Sequence, residues 1–581
     1  MKGLFVYLKE YTKECILGPL FKLLEAGFDL IVPLVMASII DVGIANGDKG
    51  HIFSFGGILV ALALIGLTCS ITAQYFAAKA AVGFAANVRH ALFEHIESFS
   101  FSEVDDIGTS TMITRMTSDI NQLQSGVNMA LRLFLRSPFI VFGAAIMAFT
   151  IDFKAALIFV VVIPLLAIVI FGVMLISMPL YKKVQGNLDN VLGRTRQNLT
   201  GARVIRAFNK ENDEIDKFCE ENEALRKLQL FVGKISGLTN PVTYVMINIG
   251  LVVLLWTGAV RIDSGSLTQG QVIALINYMS QILVELVKLA NTIVLSTKAV
   301  ACAGRVQSVL DMKSSMSDNG KLQLATDNGV SVSFENAALR YSGAGEESVS
   351  GISFNAPAGS ITGVIGGTGS GKSTLVNMIP RFYDATSGVV KLNGVDIKDY
   401  PIEDVRENIG VVMQKAVLFH GTIRENMKWG NENATDEEIM EALKAAQALE
   451  VVEGKEGGLD YMIEQGGRNL SGGQRQRLTI ARALVKKPAV LILDDSASAL
   501  DYATDAKLRK SLKELTFNPT IFIVSQRTSS IQHADNIVVL DDRMLVGQGT
   551  HDELLKTCDV YEEIYSSQYK DTAKESEKGV I

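Results

Sequence analysis

The sequence predicts an all-α transmembrane domain, six helices extending into the cytoplasm, followed by an α/β domain of the P-loop type. Three observations predict this. Apolar residues make up 48% of the 581-residue chain and crowd before about residue 300. That half holds repeated uncharged runs of about 20 residues or more, the length that crosses a bilayer. Downstream, Gly366-Gly-Thr-Gly-Ser-Gly-Lys372-Ser373 follows a buried-strand run and opens a helix, the setting a phosphate-binding loop requires.

Clean apolar runs cover residues 52–78, 155–181, 235–260 and 264–284. Two more spans carry charge. One, about 15–42, holds Lys22, Glu25, Asp29 and Asp41; the other, about 130–151, is led in by Arg132 and Arg136. Amphipathic stretches at 79–98, 182–200 and 286–306 extend the helices into water. Lys22, Glu25 and Asp29 are three to four residues apart and share one helix face. Ionisable groups within a span are costly and often functional. They read either as a polar patch on a cavity attracting cationic compounds or as an ion pair near the inner interface. Glu285 and Lys288 read as a structural pair.

The connections at 43–51, 151–154 and 261–268 are short, with one base each (Lys49, Lys154, Arg261). Those at 79–130 and 182–234 are long, and the second is rich in Lys and Arg. Positive charge collects on the cytoplasmic side, so both long loops and both termini are expected there. Residues 1–13 suit a short helix lying at the inner interface. The first apolar segment is too long for a signal-peptide core and lacks a small-residue cleavage site, so it reads as retained.

A net charge of −7 with no long basic run gives a nucleic-acid role no electrostatic support. Five scattered cysteines have no metal-type spacing and read as small apolar residues in a reducing compartment. The expected organisation is a transmembrane domain at 1–306, a polar linker at 307–330, a nucleotide-binding domain at 331–570 and a polar tail at 571–581.

In the second half, residues 360–365 form a strand run before the loop Gly366, Gly367, Thr368, Gly369, Ser370, Gly371. Glycines let backbone N–H groups wrap phosphates, and the following helix start adds free donors and a favourable dipole. Lys372 is expected on the β/γ-phosphates of ATP and Ser373 on Mg2+, with Thr374 beside it. The run Leu491-Ile-Leu-Asp494-Asp495 is a second buried strand ending in carboxylates, and Asp494 is the natural Mg2+ partner.

Leu470-Ser471-Gly472-Gly473-Gln474-Arg-Gln-Arg, just before that strand, resembles the signature of ABC transporters. Gln414 resembles the Q-loop, Ser498-Ala-Leu-Asp501 the D-loop, and Tyr341 the adenine-stacking aromatic. Residues 101–119, with Gly108 and Arg115, and residues 201–209 resemble the two cytoplasmic loops of ABC exporters. The resemblance covers about 95% of the chain. It implies an ABC half-transporter, an α/β P-loop NTPase domain of ABC type fused to six spans in a multi-pass protein of the cytoplasmic (inner) membrane. It further implies a dimer in which the P-loop of one chain and the signature of the other hold each ATP. Gln414 then serves both Mg2+ and catalysis.

Two positions depart from the family pattern. Asp495 stands where the glutamate that polarises water is expected, and Gln526 where the γ-phosphate histidine is expected. Asp495 is one methylene short, displacing its carboxylate by roughly 1–1.5 Å; misplacement by about 1 Å can cost on the order of 10²-fold in rate. Gln526 can donate to phosphate but has no imidazole proton chemistry. Gln465, where many exporters place a partner-sensing glutamate, points the same way. The resemblance therefore implies the degenerate-site subunit of a heterodimer, paired with a second, catalytically competent half-transporter. The expected function is ATP-driven export of small hydrophobic or amphipathic compounds across the cytoplasmic membrane, with the lipid bilayer as a further partner. The alternatives are a lipid or lipid-linked-precursor flippase, or an ATP-gated channel or sensor subunit.

Overall fold

The computed structural model describes residues 3–326 and 329–578, with side chains to residue 568. The chain divides into two compact units. The first comprises Met1–Glu97 and Ser110–Met312. The second comprises Ser98–Thr109 and Lys313–Ile581.

In the first unit, six helical stretches among the described residues are long and apolar enough to cross a membrane: Leu4–Ile44, Lys49–Glu97, Thr109–Ile151, Phe153–Thr200, Glu211–Asp263 and Gln269–Leu310. The 49-residue helix Lys49–Glu97 is about 73 Å long at ~1.5 Å per residue, more than twice the ~30 Å hydrocarbon core. The excess is the amphipathic extension read from residues 79–98. Small residues let these helices approach closely. Ala73, Ala77, Ala80 and Ala81 are fully buried, and a Cβ on Gly126 would strike Ala299 at 2.2 Å.

In the N-terminal segment Leu4–Tyr11 forms a short run of 3-10 turns, which meets the helix Thr12–Ser38 through Tyr11 at φ −104°, ψ 24°. Glu10 and Glu14 anchor it to the second span through Asn87 (2.9 Å) and Lys79 (2.8 Å). Asp41 accepts from the Gly270 amide (2.7 Å) and the Thr268 hydroxyl (2.5 Å), at the start of the sixth span. Asp152 caps the fourth span at Ala155 and also binds Arg261 of the fifth. The two charged groups foreseen in the spans merge: Arg136 of the third span bonds both Asp29 (2.9 Å) and Glu285 (2.5 Å). Spacing along one helix cannot reveal a partner on another.

The sixth span stays helical to Leu310, past the expected end of the transmembrane domain at 306. The expected tail, 571–581, falls partly in the helix Asp559–Lys578 and otherwise outside the described residues.

The second unit is built on a six-stranded sheet. Its order is Met544–Gly549, Asn536–Asp541, Ile361–Gly366, Thr520–Val524, Val490–Asp494, Ile409–Val412. Only the first pair is antiparallel. Parallel strands are covered on both faces and read as continuous apolar runs. Here alternate residues feed two cores: Leu491, Leu493, Ile521 and Ile523 on one side, Ile492, Phe522, Val524 and Val364 on the other. A four-stranded antiparallel sheet, ordered Val349–Ala356, Val332–Leu339, Ser387–Leu392, Val395–Asp396, packs into the second core.

Candidate functional site

Ligands of parallel α/β sheets bind beyond the carboxyl ends of the strands. Four strands end together here, at Gly366, Asp494, Val524 and Val412. Their outgoing turns carry the P-loop, Asp495, Gln526 and Gln414. The cavity they enclose has a volume of about 780 Å³.

The P-loop is shaped by its glycines. Gly371 has φ +93°, and a Cβ there would lie 2.6 Å from the Ser348 carbonyl. A side chain at that point would both strain the backbone and collide. The helix Lys372–Asn377 starts directly after it. Lys372 is buried and its ammonium donates to the carbonyls of Gly366 (2.9 Å) and Gly367 (2.5 Å). Among the described residues it makes no ion pair. Burial pulls its pKa down, opposed by Asp495 and Asp494.

Ser373 Oγ donates to Asp494 Oδ1 at 3.0 Å, which brings the two expected Mg2+ ligands together. Burial pushes the Asp494 carboxyl up; the Ser373 bond opposes this and Asp495 reinforces it. Asp495 has φ +45°, the left-handed region. Aspartate tolerates that conformation better than longer or branched residues, and such strain gathers at functional sites. The Gln414 amide donates to Asp495 Oδ2 at 3.2 Å. Gln526, Thr368 and Gly369 complete this part of the lining.

The remaining expected site residues lie elsewhere. Leu470–Gln474 and Asp501 do not line the cavity. Ser471 caps the helix Gly472–Val485 in a reciprocal box with Gln474, and Asp501 caps Tyr502–Lys513. Tyr341 sits just outside, its hydroxyl donating to Thr374 at 3.1 Å. Motif reading missed Arg543, which lines the cavity and pairs with Glu346. Its turn, Asp541-Asp542-Arg543, carries no recognisable signal.

The donor set fits a Mg-nucleotide. A hydroxyl–carboxylate pair beside a buried lysine and a glycine-wrapped loop matches a site where phosphates supply most Mg2+ ligands. Consistent with this, no group of three or more His, Cys, Asp or Glu among the described residues could hold a metal unaided.

Residues 15–286 match the family described as ABC transporter transmembrane region and residues 349–498 the family described as ABC transporter. An uncharacterized ABC transporter ATP-binding protein of Mycobacterium tuberculosis is 36% identical over 567 residues, 97% of each chain. The chain belongs to the ABC transporter family. A putative multidrug export ATP-binding/permease protein of Bacillus subtilis is 31% identical, covering 98% of each chain. An ATP-dependent lipid A-core flippase of Desulfotalea psychrophila is 33% identical, covering 82% of this chain and 83% of its own. A bacterial Atm1-family ABC exporter solved with ATP bound shares the fold at TM-score 0.79 and 21% identity, over 96% of this chain and 98% of its own.

In this ABC transporter the short helix Phe101–Ile107 packs within the nucleotide-binding unit. Phe101 packs on Phe382 with the rings tilted (4.5 Å between centroids), and Tyr383 donates to Asp105 at 2.6 Å. Tyr383 also meets Tyr341 edge-on at 4.9 Å. A continuous chain of contacts therefore joins Thr374 beside the P-loop to the helix Phe101–Ile107. Phe382 and Tyr383 carried no motif signal; only tertiary packing reveals them. Glu103 ties the helix start to the following linker through the Ser315 amide (2.9 Å). Burial works against its charge, but bonds from Ser100 and Ser315 hold its pKa below the usual carboxylate value.

Proposed function

We propose that this chain is one subunit of a heterodimeric ABC exporter that moves hydrophobic or amphipathic compounds across the cytoplasmic (inner) membrane, with both termini and the nucleotide-binding domain in the cytoplasm. Its own site holds Mg-ATP but hydrolyses it slowly. Tyr341 stacks the adenine, the P-loop glycines and Lys372 grip the phosphates, and Ser373, Gln414 and Asp494 surround the Mg2+. When bound, Mg2+ neutralises phosphate charge. Asp495 and Gln526 hold the attacking water and the γ-phosphate less well than glutamate and histidine do. The signature Leu470–Gln474 and the D-loop Asp501 complete the site of a second, competent half-transporter, where most turnover occurs.

The observation that carries this reading is the placement of Asp495 and Gln526. Both lie in the lining of an otherwise complete cavity. Closure around nucleotide must then favour one arrangement of the spans over another, since a ligand shifts only what it binds differentially. Steady-state ATPase of the assembled pair tests the division of labour. Asp495→Ala in this chain is expected to leave most turnover, whereas removing the partner's catalytic carboxylate abolishes it. Equal losses would contradict the reading.

A flippase reading is favoured by the lipid A-core flippase relative. Uphill uptake of a dye, but not of a labelled lipid, into inverted vesicles would separate the two.

A further inference from the structure

The ion network in the spans has a direction. Lys22 bonds Glu25 (2.5 Å) and Ser70 (3.3 Å). Arg136 bonds Asp29 and Glu285, and lies 3.9 Å from Glu25. Ser137 and Lys288 also donate to Glu285, at 2.8 and 2.9 Å. Three carboxylates meet three cations, so the network as a whole is neutral.

Beside it, between the first and second spans, lies a cavity of about 570 Å³. The cavity sees the network from one side only. Glu25, Asp29 and Ser70 line it; Lys22, Arg136 and Lys288 do not. The Asp29 side chain is 44% exposed, against 10% for that of Arg136 behind it. Asp29 Oδ2 is held by Arg136, while Oδ1 accepts no hydrogen bond among the described residues. The other walls are apolar or aromatic, including Phe28, Met36 and Leu62.

We infer that this cavity is a binding site for lipophilic monovalent cations, with the Asp29 carboxylate facing the charge and Phe28 and the aliphatic wall taking the apolar body. A free carboxylate edge in apolar surroundings attracts a cation far more strongly than in water. An aromatic face adds to it, and the volume falls within the usual range for small-molecule sites. An anion of the same shape meets two acids and no lining base. The inference rests on the export reading for its role, but every lining residue belongs to this chain.

The test uses the full chain in lipid nanodiscs and two probes of matched shape, tetraphenylphosphonium and tetraphenylborate. The expected result is saturable binding of the cation, no competition by the anion, and at least a tenfold loss of affinity in Asp29→Asn. Because that variant also loosens Arg136, Gly66→Leu supplies the second arm. Gly66 lines the cavity and is not part of the ion network, and a Cβ there meets nothing within 4 Å, so a leucine starts into open cavity space. It is expected to abolish cation binding. Equal affinity for both probes, or cation binding unchanged in both variants, overturns the inference. Export of neutral dyes by the pair without cation binding also overturns it and leaves the export reading standing. Cation binding lost in both variants, with no compound exported, supports the site and removes the export reading.

Discussion

The P-loop cavity and the signature helix occupy the same α/β unit but are built to opposite plans. The cavity gathers its glycines, lysine, hydroxyl and carboxylates inward from four strand ends. The signature presents Ser471 and Gly472 exposed at the start of a helix, outside the lining of that cavity. A helix start of this kind offers free N–H donors to an anion. One region is an inward-facing pocket; the other is an exposed helix start. On the proposed reading the pocket has a weakened catalytic edge and the helix start is half of a partner's site, so that binding and cutting are divided between the two ends of one domain.

The largest expected effect breaks the signature end. A Cβ on Gly472 meets nothing within 4 Å, so Gly472→Asp leaves this fold intact while placing a carboxylate where the proposed partner's phosphates would sit. ATPase of the assembled pair is expected to fall by on the order of 100-fold or more, as for loss of a transition-state contact. A loss under threefold would show that the signature completes no active site.

At the other end, Lys372→Met removes a buried cation that donates to two backbone carbonyls and a hydroxyl. Photolabelling of this chain by an azido-ATP is expected to weaken by roughly 10- to 100-fold, the loss of one charge-assisted phosphate contact. Repair sharpens the comparison further. Asp495→Glu with Gln526→His is expected to raise phosphate release at this chain's own site by about tenfold, measured with the partner's site disabled; the gain is limited because a longer side chain must adopt φ +45°.

Acidity acts on the same pocket. Burial pushes the Asp494 carboxyl up, so it binds a proton at a higher pH than an ordinary aspartate. Protonation removes the negative charge that Mg2+ requires. Mg-dependent nucleotide retention should therefore fall as pH drops, starting above the ~3.9 of a free aspartate. The smallest effect is at the loop. Tyr383→Phe deletes the bond to Asp105, worth about 1 kcal/mol. Transport per ATP is expected to drop two- to threefold at unchanged nucleotide affinity, measured by paired uptake and ATPase assays.

What was legible in the sequence follows from what is local. The spans announce themselves by uninterrupted apolar length, and the P-loop and Asp494 by strand, glycine turn and helix in immediate succession. Asp41 reads only as a charge in the first span, and Asp152 carries no signal, because their partners, Thr268 and Arg261, lie more than a hundred residues away. Arg136 joins two groups that spacing kept apart for the same reason. Tyr383 and Arg543 carry no motif, since edge-on ring contacts and cavity rims depend on which turns the fold brings together.

The most direct test is phosphate release by this chain purified alone in lipid, then mixed with a half-transporter carrying the catalytic glutamate and histidine. The account predicts that the chain alone retains Mg-ATP and releases phosphate at no more than about 1% of the mixed rate, in line with a misplaced catalytic carboxylate. Rapid release by the chain alone, unchanged by the partner, would contradict it.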